Sequence, residues 1–403
     1  MSNFSQRDIE YLLTPVAIRE TTKRIMDKAI SGETHFKVNL DKLDACSDYV
    51  MDVIKENYPT LDIPFHSRWG HFKVGDIDRE KELNSKIESR DPMEIARVKL
   101  DLVITSVLLD AGAGKEWTFL EDGTRFNRSE GLAVASYHMF LNGDFSKDGS
   151  LVADGEGLKN FSSDKLRQGF QVSENNPLVG VDGRVSLIQK LGEAVLANKE
   201  VFPKGRPGSI IDYLCEKHGK NFEVKDVLDA ILKGLGPIWP GRIDANGVNL
   251  GDVWHYPSFG TEVNATTVVC YHKLSQWLTY SLVVPMIQSG LIIKGAEKLT
   301  GLAEYRNGGL FVDYGVIELR DEKNFKIKHK PSSELIIEWR ALTVQLLDKI
   351  GELVQQKLNK TPDEFPLAKV LEGGTWWAGR KIAKEKRADG STPITLDSDG
   401  TVF

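Results

Sequence analysis

The chain has 403 residues, 41% of them hydrophobic, and a formal net charge of −6. That length exceeds one simple core, so residues 1–403 are expected to form one large domain or two closely packed lobes with the site between them. The acidic balance argues against a phosphate-backbone binder, which needs a concentrated basic face, and no nucleic-acid partner is expected.

Cys46, Cys215 and Cys270 are far apart and form no C-x-x-C pair. This argues against a disulfide scaffold or a Cys-rich zinc site and suits a reducing cytosol. Met1 leads into polar residues without the basic and apolar regions of a secretory signal, so a cytoplasmic location is expected. The most apolar window, Trp277 to Ile293, contains Pro285, Gln288 and Gly290. It reads as a buried helix, and no membrane partner is expected.

In chain order, Ser5 begins a short helix and Thr14-Pro15 restarts it, Thr as N-cap and Pro at the first position. Leu43, Cys46, Val50 and Ile54 mark one face of a second helix. Pro64 to Phe72 is irregular, and there His66, Arg68 and Trp69 can grip a phosphate or a planar ring. His66 and His71 lack the i, i+4 spacing that aligns two metal ligands on a helix, and no metal is assigned. A surface loop with a packed Trp is the other reading of this segment.

Asp91-Pro92 starts a helix that ends at Asp110-Ala111-Gly112-Ala113-Gly114-Lys115. These glycines lack P-loop spacing and follow a helix, where that motif needs a strand, so no nucleotide triphosphate is expected. Ser129-Glu130 begins another helix, and residues 142–157 form a Gly/Asp/Ser-rich loop. Helices follow after Asn176-Pro177, at about 208–218 and at 224–233. Gly236 to Gly241 breaks the chain, Asp244 to Gly247 turns it, and Ala265 to Ile293 returns to helix, kinked at Pro285.

The stretch from Leu299 to Arg340 is the most unusual. Asn307-Gly308-Gly309 leads into the short apolar run Leu310-Phe311-Val312-Asp313-Tyr314-Gly315-Val316. Burial there raises a carboxyl pKa or forces Asp313 to find a partner, although an Asp capping a turn is the simpler reading. Residues 316–320 and 325–329 alternate around a polar turn, which predicts a hairpin. Ser332 is the expected cap of a long helix with Leu335, Trp339, Leu342, Leu346 and Ile350 as its stripe. Glu338 lies at the stripe's edge and Arg340 points away from it. The tail, Gly373 to Arg380, joins tandem Trp to Arg.

The runs 109–114, 128–132, 308–316 and 398–403 resemble the family containing the fourth protein of the fungal URC uracil-catabolism pathway. Membership implies chemistry on a product of uracil ribonucleotide breakdown, such as a ribosylurea or its phosphate. Val312 to Val316, followed by Ile337 to Thr343, is also similar to the paired motifs of queuosine-salvage N-glycosidases, as is Pro177-Leu178 leading into Arg184. That second resemblance implies a mainly α, helix-hairpin-helix DNA glycosylase-like fold, here with small β-hairpin insertions. It places Asp313 on the catalytic carboxylate and Leu299 to Leu302 on the hairpin turn. The chain departs from DNA glycosylases in a shorter interval from Gly301 to Asp313 and in having no identifiable catalytic Lys.

Cleavage of an N-ribosidic bond passes through an oxocarbenium-like state, which a sheltered carboxylate stabilises. Asp313 is the expected catalytic group, with Glu338 as a second acid/base or an orienting group. Trp69, Trp117, Trp376 and Trp377 can stack a planar ureide, or pack in the core. Arg68, Arg306, Arg340 and Arg380 can fork onto phosphate or carbonyl oxygens. His66, Asp110 and Tyr314 complete the expected substrate-binding set. The expectation is an N-glycoside hydrolase acting on a small ribosyl or phosphoribosyl substrate without a cofactor. A metal-dependent ureide amidohydrolase using His66 and His71, and a non-catalytic ligand-binding protein, are the alternatives.

Overall fold

Helices dominate, and their ends carry caps that the sequence offers. The computed structural model describes residues 4–110, 112–239 and 242–397. The chain divides into unit 1 (Met1–His66, Gly241–Trp277 and Gly295–Phe403) and unit 2 (Ser67–Pro240 and Leu278–Lys294).

Unit 1 opens with α1 (Gln6–Leu12), α2 (Pro15–Ile30), β1 (Phe36–Val38) and α3 (Leu43–Asn57). As expected, Thr14 Oγ1 accepts from the Ala17 N–H at 3.2 Å, and Pro15 takes the first helical position, where no N–H is needed. Unit 2 begins with α4 (Arg68–His71), α5 (Arg79–Ile87) and α6 (Pro92–Leu108), then the hairpin β2 (Phe119–Glu121) and β3 (Thr124–Phe126). It continues through α7 (Arg128–Leu141), α8 (Gly155–Lys159), α9 (Ser163–Gly169), α10 (Val181–Ala197), α11 (Ile210–His218), β4 (Asn221–Glu223) and α12 (Val224–Leu235).

Two antiparallel pairs come next in unit 1: β5 (Asp244–Ala245) with β6 (Val248–Asn249), and β7 (Val253–His255) with β8 (Val268–Cys270). Helix α13 (Lys273–Gln288) carries the chain on, and β9 (Ile292–Lys294) pairs in parallel with β4. Unit 1 closes with α14 (Tyr305–Tyr314), β10 (Ile317–Leu319), β11 (Lys328–His329), α15 (Glu334–Leu358), α16 (Leu367–Val370), α17 (Trp376–Lys386) and β12 (Thr395–Leu396). Its core joins Ile9, Leu12, Ile18 and Ile25 to Val253, Tyr256, Val268 and Tyr271, and to Ile337, Ala341 and Val344 of α15.

Besides the short helix Arg68–His71 inside a segment expected to be irregular, four local readings change. Residues 316–320 and 325–329 do not pair with each other: β10 lies antiparallel to β1, and β11 parallel to β12. Alternation marks a strand but not its partner. The helix expected over 265–293 shortens to α13. Val268, Val269 and Cys270 join a sheet, and His272, at φ +46°, separates that strand from the helix. Ser333, not Ser332, caps α15, its Oγ 3.4 Å from the Ile336 N–H. The fourth concerns the glycine-fenced run, which is helical.

Glu304 starts α14 by accepting from the N–H groups of Arg306 (2.7 Å) and Asn307 (2.5 Å). Gly315, at φ +79°, ends it in the left-handed conformation that glycine tolerates. Inside it, a Cβ on Gly308 would stand 2.7 Å from Thr343 Oγ1 and 2.8 Å from Trp339 Nε1. Glycine therefore lets α14 lie directly on α15, and Trp339 Nε1 donates to the Gly308 carbonyl at 3.0 Å. On the other side a Cβ on Gly379 of α17 would stand 2.1 Å from the Arg306 carbonyl oxygen. Between α16 and α17 the chain makes a wide π-type turn, Leu371–Thr375, whose Gly373 and Gly374 pack on Ile63 and Val50.

Candidate functional site

Asp313 lies in the last turn of α14 with its side chain 6% exposed. Both carboxylate oxygens accept from Arg387, at 2.7 and 2.5 Å, so its charge is balanced within unit 1. Arg387 Nε donates to the Ser391 carbonyl, and Arg306 donates to the Gly390 carbonyl at 2.8 Å. Tyr314 OH donates to the Ala45 carbonyl at 3.0 Å.

Glu338 and Arg340 occupy the first turns of α15. Glu338 is 2% exposed and accepts from Tyr256 OH (2.7 Å) and the His35 N–H (2.8 Å). Burial raises its pKa, and the hydrogen bonds from Tyr256 and His35 offset this only in part. Arg340 forks onto Asp252 at 2.8 and 2.7 Å and lies 4.0 Å over the Tyr271 ring. Burial opposes the Asp252 charge, yet Arg340, the Trp254 indole N–H and the Lys273 N–H hold its carboxyl well below the usual range. Asp313 and Glu338 thus have different partners: one closes on Arg387, the other on Tyr256 and His35.

A third group gathers residues from distant parts of the sequence. His66 Nδ1 lies 2.7 Å from Glu372 Oε2, and Tyr58 OH reaches the other Glu372 oxygen at 3.4 Å. The imidazole stands 6.0 Å from the Trp376 ring and 6.4 Å from the Trp277 ring. Trp376 meets Trp377 edge-on at 4.9 Å, and the Arg380 guanidinium lies 4.7 Å over Trp376. Glu304, the α14 cap, is buried, and Thr375, which precedes Trp376, donates to Asn307 Oδ1 in the first turn of α14 at 2.9 Å. Burial pushes the Glu304 carboxyl pKa up, and the two backbone donors and the charges of Lys273 and His66 pull against that rise.

The remaining candidates belong to unit 2. Arg68 is fully buried, its Nε on Ser106 Oγ (2.7 Å) and its Nη1 3.2 Å from Asp110 and from His71 Nδ1. A guanidinium only donates, so His71 Nδ1 is the acceptor and its ring proton sits on Nε2. Trp69 donates to the Ser281 carbonyl at 2.9 Å. Trp117 is wholly buried, its indole N–H bound to the Phe170 carbonyl and its ring stacked on Phe170, which is core packing.

Of the candidate residues, His66 stands near Trp376, and Trp376 meets Trp377 and Arg380. Sequence reading missed Glu304, Glu372, Asp252, Arg387 and Trp277. Glu304 carried a weak signal, since a carboxylate before an N–H-rich first turn is a cap, but Glu is an uncommon one. Ala111 and residues 398–403, part of the motifs used for family resemblance, lie outside the described residues.

A mainly α-helical chain, with short strand pairs and a His–Glu couple set among indoles, is the class of protein defined here. No helix among the described residues is long and apolar enough to cross a membrane. Residues 11–403 match the family model described as a protein of unknown function, DUF1688, and the chain belongs to that family. The chain is 40% identical to uracil catabolism protein 4 of Lachancea kluyveri, over 98% of this chain and 99% of that protein. It is also 40% identical to protein urg3 of Schizosaccharomyces pombe, over 99% of this chain and 100% of that protein. The family expected from the motifs is the one found.

Proposed function

We propose that the protein is a hydrolase of uracil catabolism that cleaves the N-ribosidic bond of a ribosylurea or its 5′-phosphate. The name of the Lachancea relative supports the pathway. The observation that carries the bond type is the His66–Glu372 couple, with the Trp277 and Trp376 rings within 6.4 Å of the imidazole. Indole faces suit a planar ureide, and ionisable groups sheltered from water suit a reaction that builds positive charge on a ribose ring.

Asp313 is the carboxylate that the motif resemblance offers, with Glu338 as the accompanying acid/base or orienting group. For Asp313 to act, the fork of Arg387 has to be released or shared, since it balances the charge that the transition state needs. The test is incubation with ribosylurea and with its 5′-phosphate while urea and reducing sugar are followed, wild type beside Asp313→Asn. Urea and sugar released in equal amounts support the hydrolase. A wild type that binds both compounds and releases nothing at high enzyme concentration makes the protein a binder. A loss of several orders of magnitude in Asp313→Asn assigns that residue; an unchanged rate removes it.

A further inference from the structure

We infer that the reacting bond lies at the N-terminal end of α14, where Glu304 and His66 act on it and Glu372 positions His66, and not at Asp313. This rests on the hydrolase reading above, but not on its choice of Asp313, which the motif resemblance alone offers. Glu304 and Asp313 stand at opposite ends of α14, nine residues apart. At about 1.5 Å per residue that is roughly 13 Å along the axis. Two carboxyl groups serving one glycosidic bond stand about 5 to 9.5 Å apart. One end of the helix therefore serves the bond. The aromatic segment meets the N-terminal end: Thr375, next to Trp376, donates to Asn307 Oδ1 at 2.9 Å, and Gly379 packs on the Arg306 carbonyl.

The chemistry at that end is complete in kind. Each Glu304 oxygen accepts one backbone N–H and keeps a second lone pair for water or the sugar. Those bonds fix the carboxylate on the rigid start of a helix. Glu372 on Nδ1 orients the His66 ring and leaves Nε2 for the substrate. Ionisable groups near the pair include Tyr58 on Glu372, Lys273, whose charge acts on Glu304, and Arg380 over Trp376. In the step, the C1′–N bond breaks and its electron pair stays on the ureide nitrogen, which takes a proton from the His66 imidazolium. Water adds to C1′ and gives a proton to Glu304. The sum is ribosylurea plus water to ribose plus urea, with no other reactant.

The test compares Glu304→Gln, His66→Asn, Glu372→Gln and Asp313→Asn across pH, with thermal melting of each. Glu304→Gln keeps an oxygen for the cap while removing the charge, and its kcat should fall about 100-fold or more, as should that of His66→Asn. Glu372→Gln should move the limb of the pH–kcat profile assigned to His66 while leaving KM within about threefold, which a merely structural role would not do. A folded Glu304→Gln or His66→Asn enzyme with full kcat overturns the inference, as does an Asp313→Asn enzyme without activity. Should the wild type release no urea, ribosylurea binding by titration calorimetry decides. Binding weakened tenfold or more by His66→Asn and Trp376→Ala keeps the site and removes the hydrolase reading; binding unaffected by either variant, or no binding, removes both.

Discussion

Arg340–Asp252 and Arg387–Asp313 are the same chemical object, a guanidinium forked onto a carboxylate, in opposite settings. Arg340 is 1% exposed, stacked on Tyr271, and Asp252 takes further hydrogen bonds from Trp254 and the Lys273 backbone. Arg387 is 26% exposed and stands near the end of the chain, beyond α17. The first pair is locked from several sides; the second is held by its fork and by one bond from Arg387 Nε to the Ser391 carbonyl. A sheltered carboxylate with an Arg is therefore not by itself a catalytic signature, and the depth of the cation separates framework from exchangeable contact.

Breaking the deep pair is the largest expected effect. Arg340→Met should leave Asp252 as an uncompensated buried charge and cost about 3 to 5 kcal/mol in denaturant unfolding. A loss under about 1 kcal/mol would make the two pairs equivalent. Next comes Gly308→Ala, which drives a methyl into Thr343 and Trp339 and should cost about 1 to 3 kcal/mol by the same measurement. The smallest effect sharpens the contrast through pH. Burial raises the folded pKa of Glu338, so the folded state holds that proton more tightly than the unfolded chain. Stability from this group is present below its ordinary value of 4.5 and is lost as pH rises through the folded value. Glu338→Gln removes the titration, so the melting-temperature difference, variant minus wild type, should rise as pH climbs above 4.5. A flat difference would mean that Tyr256 and His35 cancel the cost of burial.

Much of the helical frame was legible because caps and periodicity are local. Thr14-Pro15, Asp91-Pro92 and the α15 stripe needed no knowledge of the rest of the chain. The helix at 305–314 was not legible: two glycines weaken any local case for it, and the gain comes from contact with α15 and α17 across sequence gaps. Side chains with dual roles were half legible. His66 and Trp376 stood out for their chemistry and do meet, while Trp117 stood out on the same grounds and is core. An indole's type does not say whether it faces a ligand or a neighbour. Arg387 gave no sign, since its meaning depends on a carboxylate 74 positions away.

The wide turn at Leu371–Thr375 sets the angular phase between α16 and α17. Deleting one residue there would let the segment wind as ordinary α-helix, at about 100° per residue. Glu372 and Trp376, which now both approach His66, would be turned apart. One inserted residue thus works as an indexing step, and a lineage that lost it would be expected to lose the couple with it while keeping the rest of the helix.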